Sequence, residues 1–151
     1  AAVVAERGGR AATRPAVNSR RNVDDFEPVS ARFVRFTVLA TTDGAEPCVD
    51  ELQVYAEGDP AANLALARSG AKASASGVLP GFAIHQIPHL NDGVLGNDRS
   101  WIADTAGTGW AQIELPAPAR VRRVVWSRDA GDVPRFDDRL PKAYRIEVSL
   151  D

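Results

Sequence analysis

The chain has 151 residues, 18 of them basic and 20 acidic, for a formal net charge of -2. That length suits one core burying about two thirds of the unfolded surface, and the near-even charge offers no electrostatic footprint for nucleic acid or an anionic membrane. No apolar run approaches the ~20 residues of a membrane helix, so no transmembrane segment is expected, and a single cysteine excludes both an internal disulfide and a four-cysteine zinc site.

In chain order, residues 1–22 are rich in Ala, Arg and Gly without apolar periodicity and read as a flexible leader or linker. From Arg32 the pattern changes. "RFVRFTVLA" and "CVDELQVYA" alternate apolar and polar residues with β-branched and aromatic enrichment, as two half-buried strands joined by the turn-like "TTDGAEP" would. Cys48, inside the second strand, is expected to act as a small buried hydrophobe. The small residues of "NLALARSGAKASASG" suit a strand or extended arm on a crowded surface. "LNDGVLGNDRSWI" follows, rich in Asn, Asp, Gly and Ser, which serves equally as a surface turn or as an oxygen cage for a hard cation. "GWAQIELP", "RVRRVVWSRD" and "KAYRIEVSL" alternate again, each bounded by Pro, Gly or Asp. Short strands with such punctuation, and no segment of helical period, predict an all-β antiparallel sandwich or jelly roll. The chain contains no methionine and stops at "EVSLD" without a closing turn, so it reads as a processed product or an excerpt of a longer protein.

The segments "NLALARSGAKASASG", "LNDGVLGNDRSWI", "GWAQIELPAPARVRRVVWSRD" and "RLPKAYRIEVSLD" follow the order of discoidin domains, also called F5/8 type C domains, of the galactose-binding-like superfamily. The resemblance spans residues 63–151. The closing strands of that family resemble "RFVRFTV" and "DELQVYAEG", which here come first. Either residues 31–58 end a preceding repeat, or the domain is circularly permuted, with 31–58 supplying the family's C-terminal strands and 63–151 its N-terminal part. The short link from Gly58 to Asn63 favours permutation, giving one sandwich over residues 23–151. On either account a strand after Asp151 is expected to cover a sheet edge.

The resemblance implies a structural calcium held by the Leu90 carbonyl, Asp92, Asn97, Ser100 and Glu51, with Asp98 a spare acid; a hydrogen-bonded turn without metal is the plain alternative. It places Trp101 in the core. It also implies ligand recognition by loops at one end of the sandwich, through Arg128, Asp138 and Arg139; separately, His85, His89 and Arg135 are read as further ligand contacts, with merely solvated loop histidines as the plain alternative. Asp138 stands where the family has Asn, which puts galactose itself in doubt. An exposed Arg128 would equally suit a surface ion pair with Asp129 or Asp132. His85 and His89 stand four apart, but Pro88 opposes a helical zinc pair. Nothing in the motifs compels catalysis, since a G-x-S-x-G elbow, a P-loop and a Rossmann fingerprint are all missing. The expected function is therefore a non-catalytic binding module for carbohydrate or another cell-surface ligand. It would be extracellular or periplasmic and attached to other domains of a longer chain. A purely architectural accessory domain is the alternative, and a hydrolase a distant third.

Overall fold

The computed structural model describes residues 1–8 and 16–151. Its strands are β1 (Ala2–Arg7), β2 (Asn22–Thr41), β3 (Cys48–Val49), β4 (Glu51–Ala56), β5 (Lys72–Ala75), β6 (Trp101–Ile102), β7 (Gly109–Ser127) and β8 (Pro141–Ser149). All pairings between these strands are antiparallel. One six-stranded sheet runs β1-β8-β2-β7-β4 with β5 added to β7, and β3 with β6 forms a second, two-stranded sheet. The fold is the expected all-β sandwich, and its only helical pieces among the described residues are short 3-10 turns.

Two strands do most of the building. A straight strand the length of β2, 20 residues, would span about 65 Å, whereas a chain of this size folds into a body roughly 40 Å across. The ladder therefore breaks and bends at irregularities between Asp25 and Val29 and between Ala31 and Phe33. Pro28 has no N–H to offer the ladder at the first of these. The first half of β2 then pairs with the end of β7, and the second half with the start of β7 and with β8. Residues 31–58 are thus integral to the sheet that residues 109–149 build, because β2 and β4 both flank β7.

Alternation delivers the core. Val34, Phe36 and Val38 of β2, Ala111 and Ile113 of β7, and Tyr144, Ile146 and Val148 of β8 face inward and are buried. Phe36, Trp126 and Tyr144 meet at ring centroids 4.7–5.3 Å apart, the tilted and edge-on packing that aromatic quadrupoles favour. Trp101 is fully buried, as expected, and its indole donates to the Gly77 carbonyl at 2.8 Å.

The flexible leader expected over residues 1–22 is corrected where it is described. Ala2–Arg7 forms a strand on the outer edge of β8, with Ala5 buried. Two physical reasons stand out. β8 would otherwise present an unpaired row of backbone groups, and Arg7 donates to Asp24, whose buried carboxylate also accepts the Tyr144 hydroxyl at 2.6 Å. β1 thus covers the outer edge of β8. Asn18 is tied down as well, exchanging hydrogen bonds with Asn22. Residues 9–15, the rest of that leader, lie outside the described residues.

Candidate functional site

Three loops meet at one end of the sandwich: residues 80–100, the 128–140 connection between β7 and β8, and the 42–50 segment leading to β4. Two buried carboxylates hold them from below. Asp50 accepts the Ser127 hydroxyl, the Gly96 N–H at 2.7 Å and the Ala130 N–H at 2.8 Å. Asp129 accepts the N–H groups of Asn97, Arg135 and Phe136 at 2.8–3.2 Å. Burial alone would raise the Asp129 pKa, but those N–H dipoles outweigh it and hold the carboxyl below its ordinary range. The crossing is close because both chains use glycine there. Gly96 has φ +117, and a Cβ built on Gly131 would fall 3.2 Å from the Gly96 Cα. Arg20 adds a strap from the other side, donating to the Gly131 carbonyl at 2.7 Å.

The tips of these loops are apolar and exposed. Phe82, Ile84, Val94, Leu95, Val133 and Phe136 are six of the nine large hydrophobic residues left exposed among those described, and Val133 reaches 72%. Single exposed apolar residues are ordinary, whereas a group on converging rigid loops marks an interaction surface. Arg135 stands among them, exposed and without a side-chain partner among the described residues.

Beneath the loops lies a carboxyl pair. Glu51 is 1% exposed; its Oε2 accepts the Gly93 N–H at 2.9 Å, while Oε1 is buried without a hydrogen-bond partner. Burial, together with the adjacent Asp92 carboxylate, pushes the Glu51 pKa up to about 9. Asp92 accepts the Val94 N–H at 2.9 Å and pairs with Arg99 at 2.8 Å. Asp92 and Glu51 are 41 positions apart in the chain, and the resemblance implied that they would converge. Leu90, buried just ahead of them, anchors the turn in the core.

The other implied ligands turn elsewhere. Asn97 Oδ1 accepts from Arg128 Nη1 at 2.9 Å, and Ser100 donates to the Asn97 carbonyl at 2.7 Å while its Oγ lies 2.8 Å from His85 Nδ1. Asp98 remains on the exposed side of this turn. Among the described residues no three His, Cys, Asp or Glu side chains converge on one point. The oxygen set centred on Glu51 and Asp92 therefore fits a hard cation only if backbone carbonyls complete it. The observation in favour of such a cation is the buried Glu51 Oε1 facing the Asp92 carboxylate, two acids with only a shared proton between them in its absence.

Recognition by Arg128 is corrected. It is 1% exposed and acts as an internal clamp: Nε and Nη2 donate to the carbonyl and carboxylate of Asp138, both at 2.7 Å, and Nη1 donates to Asn97. Its guanidinium carbon lies 5.4 Å from the Phe136 ring centroid. All three nitrogens of the planar fork thereby donate within the protein. Arg139 is likewise committed, to Glu46 at 2.7 Å and to Asp138 at 3.5 Å.

The two histidines are buried rather than presented to solvent. His89 Nδ1 lies 3.0 Å from the Ile84 carbonyl and 3.1 Å from that of Ser100. Burial and the positive charge of Arg128 hold His85 below its ordinary pKa, hence neutral at pH 7. Ser100 with His85 has the spacing of a nucleophile and base, yet the hydroxyl is fully buried and already donates to a carbonyl. Cys48, 3.5 Å from that hydroxyl, is buried too, and its thiol is pushed up to about 11. Of the implied ligand contacts, Arg135 alone remains fully open, beside a half-exposed Asp138.

Compared with known proteins, the chain matches no family model and no curated protein sequence.

Proposed function

We propose that this chain is a non-catalytic binding module of discoidin type, circularly permuted, which engages carbohydrate at a cell surface through its loop end. The observation that carries the proposal is the pairing of rigidity with exposure. Asp50 and Asp129 fix the loop backbones from below, while Phe82 and Phe136 present exposed rings above, with the unpartnered Arg135 directly beside Phe136. Aromatic faces pack against the C–H faces of sugars, and a guanidinium fork reads their hydroxyls. A loop scaffold that is already ordered loses little entropy on binding.

In this reading Glu51 and Asp92 hold a structural calcium beneath the loops, with neighbouring backbone carbonyls completing its shell. Calcium supplies positive charge to two facing carboxyl groups and ties Gly93 and the following turn to β4. Without the ion, Arg99 carries that role alone at Asp92. The module belongs to an exported multidomain protein, extracellular or periplasmic, which is the setting in which surface glycans are met.

Screening the calcium-loaded chain on an array of neutral and acidic glycans tests the proposal. Selective retention of a saccharide class supports it. A featureless array, reproduced at high loading, overturns it in favour of an architectural accessory domain.

A further inference from the structure

A second polar site lies on the flank of the sandwich, away from the loop end. The β4–β7 ladder slips between Tyr55 and Ala56, which oppose Arg123 and Val121, so Arg122 is an extra residue in β7. Such a bulge re-aims a side chain and interrupts pairing. Arg122 is exposed and lines a cleft of about 200 Å³ with Tyr55, Ala56, Gly58, Pro60 and Arg123. None of those lining residues is acidic. Arg123 is held by Asp25 through two hydrogen bonds of 2.6 and 2.9 Å, whereas Arg122 has no side-chain partner among the described residues.

The surroundings add positive charge. Arg21 and Arg123 both act on the Tyr55 hydroxyl. Tyr55 donates to Gln53 at 2.6 Å, which fixes the ring as a wall of the cleft. In a protein of net charge -2, Arg122 and Arg123 line the cleft and Arg21 acts on its tyrosine wall, while Asp25 neutralises Arg123 and Asp59 stands between the lining Gly58 and Pro60, so that Arg122 is the cation left open to a ligand. A free guanidinium fork matches the two oxygens of a carboxylate or sulfate. A half-exposed tyrosine ring matches the face of a sugar, and the cleft has room for one sugar ring.

We infer that the Arg122–Tyr55 cleft is an anionic-sugar subsite, taking the carboxylate of a uronic acid or the sulfate of a sulfated sugar against the Arg122 guanidinium. The inference rests on the carbohydrate reading above and adds a charge preference at a separate surface. It explains why Arg122 is left unpaired while its neighbour Arg123 is neutralised within the fold.

Calorimetric titration of the whole chain with three oligosaccharides of equal length tests it: a uronic-acid oligomer, a sulfated oligomer and a neutral galactose oligomer. At least one acidic oligomer should bind more tightly than the neutral one, and the comparison of the two acidic arms assigns the oxyanion. Arg122→Ala should weaken acidic binding at least tenfold, Arg122→Lys should restore it only in part, and added salt should weaken it in the wild type. Arg122 is exposed, so both variants should melt as the wild type does. Acidic binding that survives in Arg122→Ala overturns the subsite. Neutral binding of equal strength, insensitive to Arg122, overturns the subsite and leaves the carbohydrate reading standing. Failure of all three oligomers to bind overturns both.

Discussion

Oδ2 of Asp129 accepts the backbone N–H of Arg135 at 2.8 Å, while Oδ1 of the same carboxylate accepts that of Asn97 at 3.2 Å. One buried side chain thus sets the distance between two loops, the first anchored at Asn97, 32 positions before Asp129, and the second at Arg135, 6 positions after it. Asp129→Asn removes the charge and replaces one acceptor oxygen by a donor. The variant should lose about 1–3 kcal/mol and exchange the amides of residues 94–98 and 133–136 faster. The pH dependence follows from the depressed folded-state pKa. The stabilisation is fully present above the ordinary aspartate value of 3.8 and is lost as pH falls through the lower folded-state value. Chemical denaturation of both proteins from pH 7 downward should show their curves converging in acid.

Glu51 has the opposite sign. Its folded-state pKa of about 9 lies above the ordinary 4.5, so burial favours the protonated form. Its contribution is greatest below pH 4.5 and is lost as pH rises toward about 9. Glu51→Gln should therefore stabilise the metal-free chain at pH 8 by about 1–3 kcal/mol, while abolishing any rise in melting temperature on adding calcium. Because calcium must displace the Glu51 proton, the wild-type calcium response should strengthen with pH across the same window. Thermal melts with EDTA and with calcium at pH 5, 6.5 and 8 measure both effects.

The Arg128 clamp predicts a folding defect rather than a binding defect. Arg128→Ala leaves Asn97 Oδ1 and the Asp138 carbonyl without their donor and opens space under Phe136. The expected loss is about 3–5 kcal/mol. Arg128→Lys should recover little of it, since an ammonium cannot donate in three directions of one plane. Equilibrium unfolding of the two variants decides the point, and near-wild-type stability in either would mean that the clamp is dispensable.

At the opposite edge, Arg7 locks β1 to the sheet by reaching Asp24, whose side chain is fully buried. Burial and the same carboxylate push Tyr144 well above the ordinary tyrosine range, so its hydroxyl remains the donor to Asp24. Arg7→Ala should destabilise the fold by about 3 kcal/mol. It should also deprotect the amides of residues 2–7 ahead of the rest of the sheet, which native-state hydrogen exchange reads directly.

How much of this was legible beforehand differs by region. "RFVRFTV" and "DELQVYA" announce strands because alternation reports which face is buried, and the fold buries Val34, Phe36, Val38, Leu52 and Val54 accordingly. The meeting of Asp92 with Glu51 came from the resemblance and from no local signal. β1 was missed because "AVVAER" is short and runs straight into a Gly/Arg stretch. What makes it a strand is the edge of β8, which lies more than a hundred residues away in sequence, and the buried Asp24, which lies 17 positions beyond Arg7. Arg128 was misread for a similar reason. An arginine after a strand is ordinarily exposed, and only the approach of Asn97 and Asp138 in space encloses this one. Asp50 and Asp129, which organise the loop end, look in sequence like any surface acid, because carboxylates satisfied by backbone N–H groups carry no motif.

The most direct test of the central claim is the affinity of the calcium-loaded chain for the saccharide class retained on the array, measured beside a Phe82→Ala/Phe136→Ala double variant. Because Phe136 also covers the Arg128 guanidinium and Phe82 packs on His85, the melting temperature of the variant is measured beside its affinity, and the comparison is made where both proteins are fully folded. The account predicts that it loses at least tenfold in affinity. Unchanged affinity in the double variant would contradict recognition by the loop end.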